Sequence, residues 1–189
     1  MPLFSSRRER RLWLWTLAVV AAIYSTLGLA RTLADAVRDD GLFGVGLFVL
    51  GLLLVLGTIV TEGLRTRPGG VEIGVALGVV AAYLLVLVRM AIPTERSHLI
   101  EYGVVAVFIH EALKERVRRG RSVPQPAVLA VLATSLVGAL DECIQAFLPG
   151  RVFDSFDIMF NVLAGVMAVA AGVALGWARR RAGARDEAR

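Results

Sequence analysis

The chain is short of cysteine, of nucleophile motifs and, over long stretches, of charge. Its single cysteine, Cys143, excludes an intramolecular disulfide and any multi-cysteine metal site. No GxSxG stretch marks a hydrolase nucleophile, and Cys143 itself reads as a packed helix residue. The net charge is +5 and the sequence pI about 10.3, yet no continuous basic face exists. The 21 Lys and Arg residues fall instead in short clusters between apolar runs. Charge placed that way signals membrane topology and argues against a nucleic-acid partner.

Charge is missing altogether from Leu12–Ala30 and from Gly41–Thr61. Each run exceeds the roughly 18 apolar residues that mark a membrane span, because about 20 residues at about 1.5 Å rise cross a hydrocarbon core of roughly 30 Å. With 57% hydrophobic residues and a mean hydropathy of +0.68, the sequence predicts an all-α fold. The expected architecture is a polytopic transmembrane helix bundle forming one membrane domain over residues 1–189, with the lipid bilayer as its first partner. The basic "RRERR" before the first run resembles a signal sequence. The run is too long for a signal-peptide core and more follow it, so a retained span is predicted.

Six spans are expected: Leu12–Ala30, Leu42–Thr61, Val71–Ile92, Ser97–Leu113, Ala127–Phe147 and Phe156–Ala178. The first two, within 12–61, read as N-terminal anchors, and the fourth is short and polar. With the N-terminus in the cytoplasm, sixteen basic residues lie inside; five (Arg31, Arg38, Arg89, Arg96 and Arg151) lie outside. This bias predicts an even number of spans with both termini cytoplasmic. Gly70, Gly74 and Gly78, and again Gly172 and Gly176, repeat at an interval that lets helix backbones approach closely. Trp13, Trp15 and Trp177 fall where an inner aromatic belt is expected.

On this topology three helix ends carry polar groups to one level of the outer leaflet. His98 opens span four, with Glu101 and Tyr102 at i+3 and i+4 on the same face. Span five ends in "ALDECIQAF", placing Asp141, Glu142 and Gln145 in its last turns. The connection "LPGRVFDSFD" brings Arg151, Asp154 and Asp157, and Asn161 lies a turn further on. Five carboxylates so close repel one another and need cations, shared protons or a metal; Arg89, Arg96, Arg151 and protonated His98 are the outer candidates. The alternative is a ring of ion pairs that only pins the helix ends together. At the inner side, Glu111 and Lys114 read as an i, i+3 surface pair, and Thr134 and Ser135 as hydroxyls bonded back to their own helix.

"ERSHLIEYGVV" at 95–105, "DECIQAFLPGR" at 141–151 and "DSFDIMFNVLAG" at 154–165 together resemble the VanZ-like family of bacterial membrane proteins. The matching positions are Glu95, Arg96, His98, Glu101, Tyr102, Glu142, Gln145, Pro149, Gly150, Arg151, Asp157, Asn161 and Gly165. The resemblance spans about residues 89–176 as a core; spans one and two are not part of it. It implies a multi-pass protein of the bacterial cytoplasmic membrane. It also implies an association with low-level resistance to the glycopeptide teicoplanin, through the founding member. Family analogy does not fix activity.

The residues leave several functions open. In a membrane enzyme acting on a lipid-linked or cell-wall substrate, His98 or Glu142 serves as acid or base. The candidate catalytic set is His98, Glu101, Tyr102, Glu142 and Asp157. Arg96, Asp141, Gln145, Arg151, Asp154 and Asn161 are then ligand-binding, with the Arg151 fork suited to phosphate or carboxylate. A non-catalytic binding or scaffold protein would use the same pocket for a lipid headgroup or cell-wall precursor. A transporter is less expected, because polar residues are sparse at mid-membrane. His98, Glu101, Glu142 and Asp157 are able to hold a metal but are not a diagnostic set, so no metal or cofactor is predicted. Oligomeric state is not legible.

Overall fold

The computed structural model describes residues 3–26, 69–89, 93–148 and 153–186. The predicted span at 42–61, the turn with Arg151 and the side chain of Arg96 lie outside the described residues. The described residues form five helices and no strand: α1 (Arg7–Thr26), α2 (Gly70–Arg89), α3 (Pro93–Arg118), α4 (Pro126–Gln145) and α5 (Ser155–Asp186). The fold is all-α. Helix α3 is central and packs against α1, α4 and α5, while α2 docks on α5.

Local chemistry sets the boundaries. Pro93 and Pro126 stand at helix starts, where the missing N–H would have had no intrahelical partner. Helix α3 stops at Gly120, whose φ of 79° is the left-handed conformation that favours glycine. The Gly120 N–H donates to the Val117 carbonyl at 2.9 Å and the Arg121 N–H to that of Arg116 at 3.2 Å. This Schellman pattern satisfies the last carbonyls of the helix. Gln125 then takes φ 42° just before α4, and the chain doubles back as a tight helical hairpin.

Contacts between the helices fix their directions. Arg116 Nε donates to Glu9 at 2.7 Å and the Tyr24 hydroxyl to the Val137 carbonyl at 2.7 Å. Helix α1 thus starts where α3 ends. Gly172 backs onto His110, so α5 runs parallel to α3, and Gly69 meets Ala182, so α2 starts where α5 ends. Helices α1 and α2 consequently run the same way. The starts of α1 and α2, the α3–α4 hairpin and the end of α5 gather at one end of the bundle, the Glu115 end. The start of α3, the end of α4 and the start of α5 gather at the other, the His98 end.

Helix α4 is apolar outside and polar inside. Val128, Leu132, Leu136, Leu140 and Ile144, four apart, are exposed, whereas Ala130, Thr134, Gly138, Asp141, Glu142 and Gln145 are buried. In water this arrangement would be inverted; in lipid it is the expected one. Helix α5 repeats it, exposing Met159, Leu163, Val166 and Val173 and burying Asn161, Ala164 and Ala168. Pro126–Gln145 and Ser155–Ala184 are both long and apolar enough to cross a membrane, and the apolar stretch Gly70–Val86 of α2 is shorter. The α3 core face, Leu99, Tyr102, Val105, Ala106 and Ile109, meets small residues of α4 and α5.

Close approach occurs at a glycine the spacing did not single out. A Cβ at Gly70, Gly74 or Gly78 would meet nothing within 4 Å among the described residues, whereas one at Gly138 would lie 2.6 Å from the Asn161 Cβ. Gly172 does face a neighbouring helix, as expected, but Gly176 meets only Arg180 of its own helix. Ser135 bonds back to the Val131 carbonyl at 2.8 Å. The Thr134 hydroxyl, expected to do the same, is buried with no hydrogen-bond partner.

At the Glu115 end the polar groups are paired. Glu9, fully buried, accepts from the Ser5 N–H at 2.6 Å, from the Ser5 hydroxyl and from Arg116. Glu115 accepts from Ser6 at 3.0 Å and Arg119 at 3.1 Å, with Arg8 at 3.9 Å. Glu111 pairs with Lys114, as its spacing predicts, and with Arg8 at 3.6 Å. Burial opposes ionisation of Glu9, but the bonds from Ser5 and the Arg116 guanidinium outweigh it and hold its carboxyl below the usual value of 4.5. Hydrogen bonds from Arg119 and Ser6 depress Glu115 as well.

Candidate functional site

At the His98 end, three helix termini converge. His98 is in the first turns of α3, buried, with its ring stacked on that of Tyr102 at a centroid distance of 5.9 Å and an interplanar angle of 20°. The i, i+4 spacing makes that stack possible. Glu142, in the last turn of α4, is fully buried, and Asp157, in the first turn of α5, is partly exposed. One ligand atom each from His98, Glu142 and Asp157 falls within 4.8 Å of the others. His98 Nε2 stands 3.7 Å from Asp157 Oδ2, too far for a hydrogen bond.

Neighbours hold Glu142 in place. Gln145, one turn on, donates to Glu142 Oε1 at 3.0 Å and to Asp141 Oδ2 at 3.3 Å. The Asp154 N–H donates to Glu142 Oε2 at 3.2 Å, while Asp154 uses its own carboxylate to accept from the Phe156 N–H at 2.8 Å. That second bond caps the start of α5. Both carboxylate oxygens of Glu142 are therefore engaged by groups that fix its direction.

Deeper in, Asn161 lies one turn beyond Asp157 on the same face of α5, pressed against Gly138 of α4. It is fully buried, and neither amide atom has a hydrogen-bond partner; His98 Nδ1 is in the same condition. Such atoms are few in a protein and ask for water, an ion or a ligand. Beside the end of α4 and the start of α5, Phe147, Phe153 and Phe156 are exposed, Phe147 to 89%, and form an apolar rim at this end of the bundle.

Of the sequence-predicted residues, the structure brings together His98, Tyr102, Asp141, Glu142, Gln145, Asp154 and Asp157, with Asn161 beneath them. Glu101 is half-buried on α3 and is not one of the three converging ligands. Arg151 and the Arg96 side chain lie outside the described residues. Sequence reasoning missed Tyr24, which joins α1 to α4 one turn before Asp141, and Gly138, which admits Asn161. A tyrosine in an otherwise apolar first span and a glycine one turn before Glu142 were the available signals. The rim phenylalanines were also passed over.

A family model described as VanZ/LLP1 matches residues 2–176. The match runs well beyond the motif-bearing half, into the N-terminal segment. No curated protein and no solved structure matches the chain.

Proposed function

This chain belongs to the VanZ/LLP1 family, and from that premise we propose that its His98-end pocket recognises a lipid-linked cell-envelope component at the outer leaflet of the bacterial cytoplasmic membrane. The observation that carries this reading is the convergence of buried His98 and Glu142 with partly exposed Asp157. A polar floor suits a headgroup, and the exposed Phe147, Phe153 and Phe156 suit the acyl or prenyl chain attached to it. The protein is multi-pass with both termini cytoplasmic. The sixteen-to-five charge bias supports that orientation, and the shared direction of α1 and α2 supports an even number of spans.

A reading in which the pocket modifies its ligand draws on one further observation. Asp157 Oδ2 stands 3.7 Å from His98 Nε2, so a small approach of the two side chains would let the carboxylate orient the imidazole, as it does for a general base. On either reading, the family association with teicoplanin would follow from altered handling of an envelope component.

The test is native mass spectrometry of the full chain released from nanodiscs that contain phosphatidylglycerol and a polyprenyl phosphate. The wild type is expected to retain a headgroup-bearing lipid, and Glu142→Gln to retain it at least about tenfold less, equivalent to about 1.4 kcal/mol. Equal retention by the two proteins, both accumulating normally, would refute the reading.

A further inference from the structure

We propose that His98, Glu142 and Asp157 form a binding site for a divalent transition-metal ion, with open coordination positions toward the mouth that accept an oxygen of an anionic headgroup. The metal site stands on the geometry of these residues; only its headgroup rests on the pocket reading above.

One ligand comes from each of three helices. Ions of this class bind nitrogen and oxygen at about 2.0–2.2 Å, which sets neighbouring ligands roughly 3–3.5 Å apart around the ion. The 3.7 Å between His98 Nε2 and Asp157 Oδ2 is close to that spacing and longer than a hydrogen bond. All three ligand atoms lie within 4.8 Å of one another, and binding would draw them together by roughly 1 Å. Glu142 is already oriented from outside by Gln145 and the Asp154 N–H, as ligating carboxylates are. One imidazole with two carboxylates is a mixed nitrogen–oxygen set, suited to Mn²⁺, Fe²⁺ or Zn²⁺ rather than a thiophilic ion.

A second observation is independent of the cluster. Asn161, fully buried directly beneath Asp157 on the same helical face, has both amide atoms without a hydrogen-bond partner. A fully buried amide with unused bonding capacity one turn below the cluster is the kind of group that buried waters and ions satisfy. Three protein ligands leave coordination positions for water, and the partial exposure of Asp157 sets them on the mouth side.

The chain has only two histidines, His98 and His110, which makes the test specific. The full chain, purified in detergent and stripped with EDTA, is titrated with Mn²⁺, and the bound ion is examined by pulsed EPR for imidazole-nitrogen coupling. The proposal expects that coupling in the wild type and in His110→Gln, and its loss in His98→Gln. Asp157→Asn is expected to weaken Mn²⁺ binding roughly tenfold or more with helical content unchanged. Absence of nitrogen coupling, its survival in His98→Gln, or wild-type affinity in Asp157→Asn overturns the site. If His98→Gln does not accumulate, Asp157→Asn at the partly open mouth decides alone. Lipid retained without Mn²⁺ binding overturns the metal site and leaves the pocket reading standing; Mn²⁺ bound with no lipid retained does the reverse.

Discussion

The two ends of the bundle use similar residues to opposite effect. At the Glu115 end, Glu9 and Glu115 are buried and each is engaged by hydroxyl and guanidinium donors from another helix or turn. At the His98 end, Glu142 is fixed by an amide side chain and a backbone N–H, while His98 Nδ1 and the Asn161 amide have no hydrogen-bond partner. A closed network of donors and acceptors is what a structural tether requires. Buried groups with unused bonding capacity reduce stability and persist where something else occupies them. The contrast separates a closed network from one with bonding capacity left over within one molecule.

Packing at the His98 end offers the most forceful way to break the comparison. Gly138→Ala puts a methyl group 2.6 Å from the Asn161 Cβ, and overpacking of this kind costs about 1–3 kcal/mol. The expected result is a larger fall in Tm than for Glu9→Gln or Thr134→Val, read by tryptophan fluorescence in detergent, with lipid retention falling too because Asn161 is displaced. A Tm equal to that of wild type would mean that the α4–α5 contact yields freely.

Glu9→Gln acts at the other end. It removes a charge that accepts from Ser5 and Arg116, and charge-assisted hydrogen bonds contribute about 1.5–3 kcal/mol; with Arg116 partly solvated, about 1–2 kcal/mol is expected. Lipid retention should stay as in the wild type. This effect also has a pH signature. The Glu9 carboxyl sits below its ordinary value of 4.5 in the folded protein, so its stabilisation is fully present above that value. It is lost as pH falls through the lower folded value. The Tm gap between wild type and Glu9→Gln should hold from neutral pH to about 5 and close on further acidification. A gap that widens in acid would remove Glu9 from the tether.

The smallest effect sharpens the comparison from the opposite side. Thr134 buries a hydroxyl without a partner, so Thr134→Val, nearly the same shape, should leave stability unchanged or raise it by up to about 1 kcal/mol, read as an equal or higher Tm. A clear loss of stability would mean that the hydroxyl is satisfied in the membrane-embedded protein.

Much of the candidate site was legible because helical spacing is rigid. His98 and Tyr102 at i, i+4, Glu142 and Gln145 at i, i+3, and Asp157 and Asn161 at i, i+4 each had to share a face once helices were granted. The apolar runs granted them. What spacing along one helix does not contain is the approach of two. Gly138 against Asn161 and Tyr24 against Val137 depend on helix rotation and depth, and at Gly70, Gly74 and Gly78, read from spacing alone, an added Cβ would meet no described atom within 4 Å. Arg8 and Arg116 were counted as topology signals, whereas the structure also uses both as partners of buried acids. Charge counting sees the side of the membrane and is blind to pairing.

The tight turn from Gly120 to Gln125 has a mechanical consequence. It clasps α3 and α4 at the Glu115 end, where the Glu9–Arg116 bond also pins α1. His98 and Glu142 sit at the far tips of the two arms, where the Asp154 N–H ties Glu142 to the start of α5. Helix α4 is about 30 Å long by its rise per residue, so a tilt of about 4° at the clasp swings its tip by about 2 Å. A shift of that size is a large part of the 4.8 Å within which the His98, Glu142 and Asp157 ligand atoms lie. Stiffness at one end of the bundle is thus what would let a modest motion open the other.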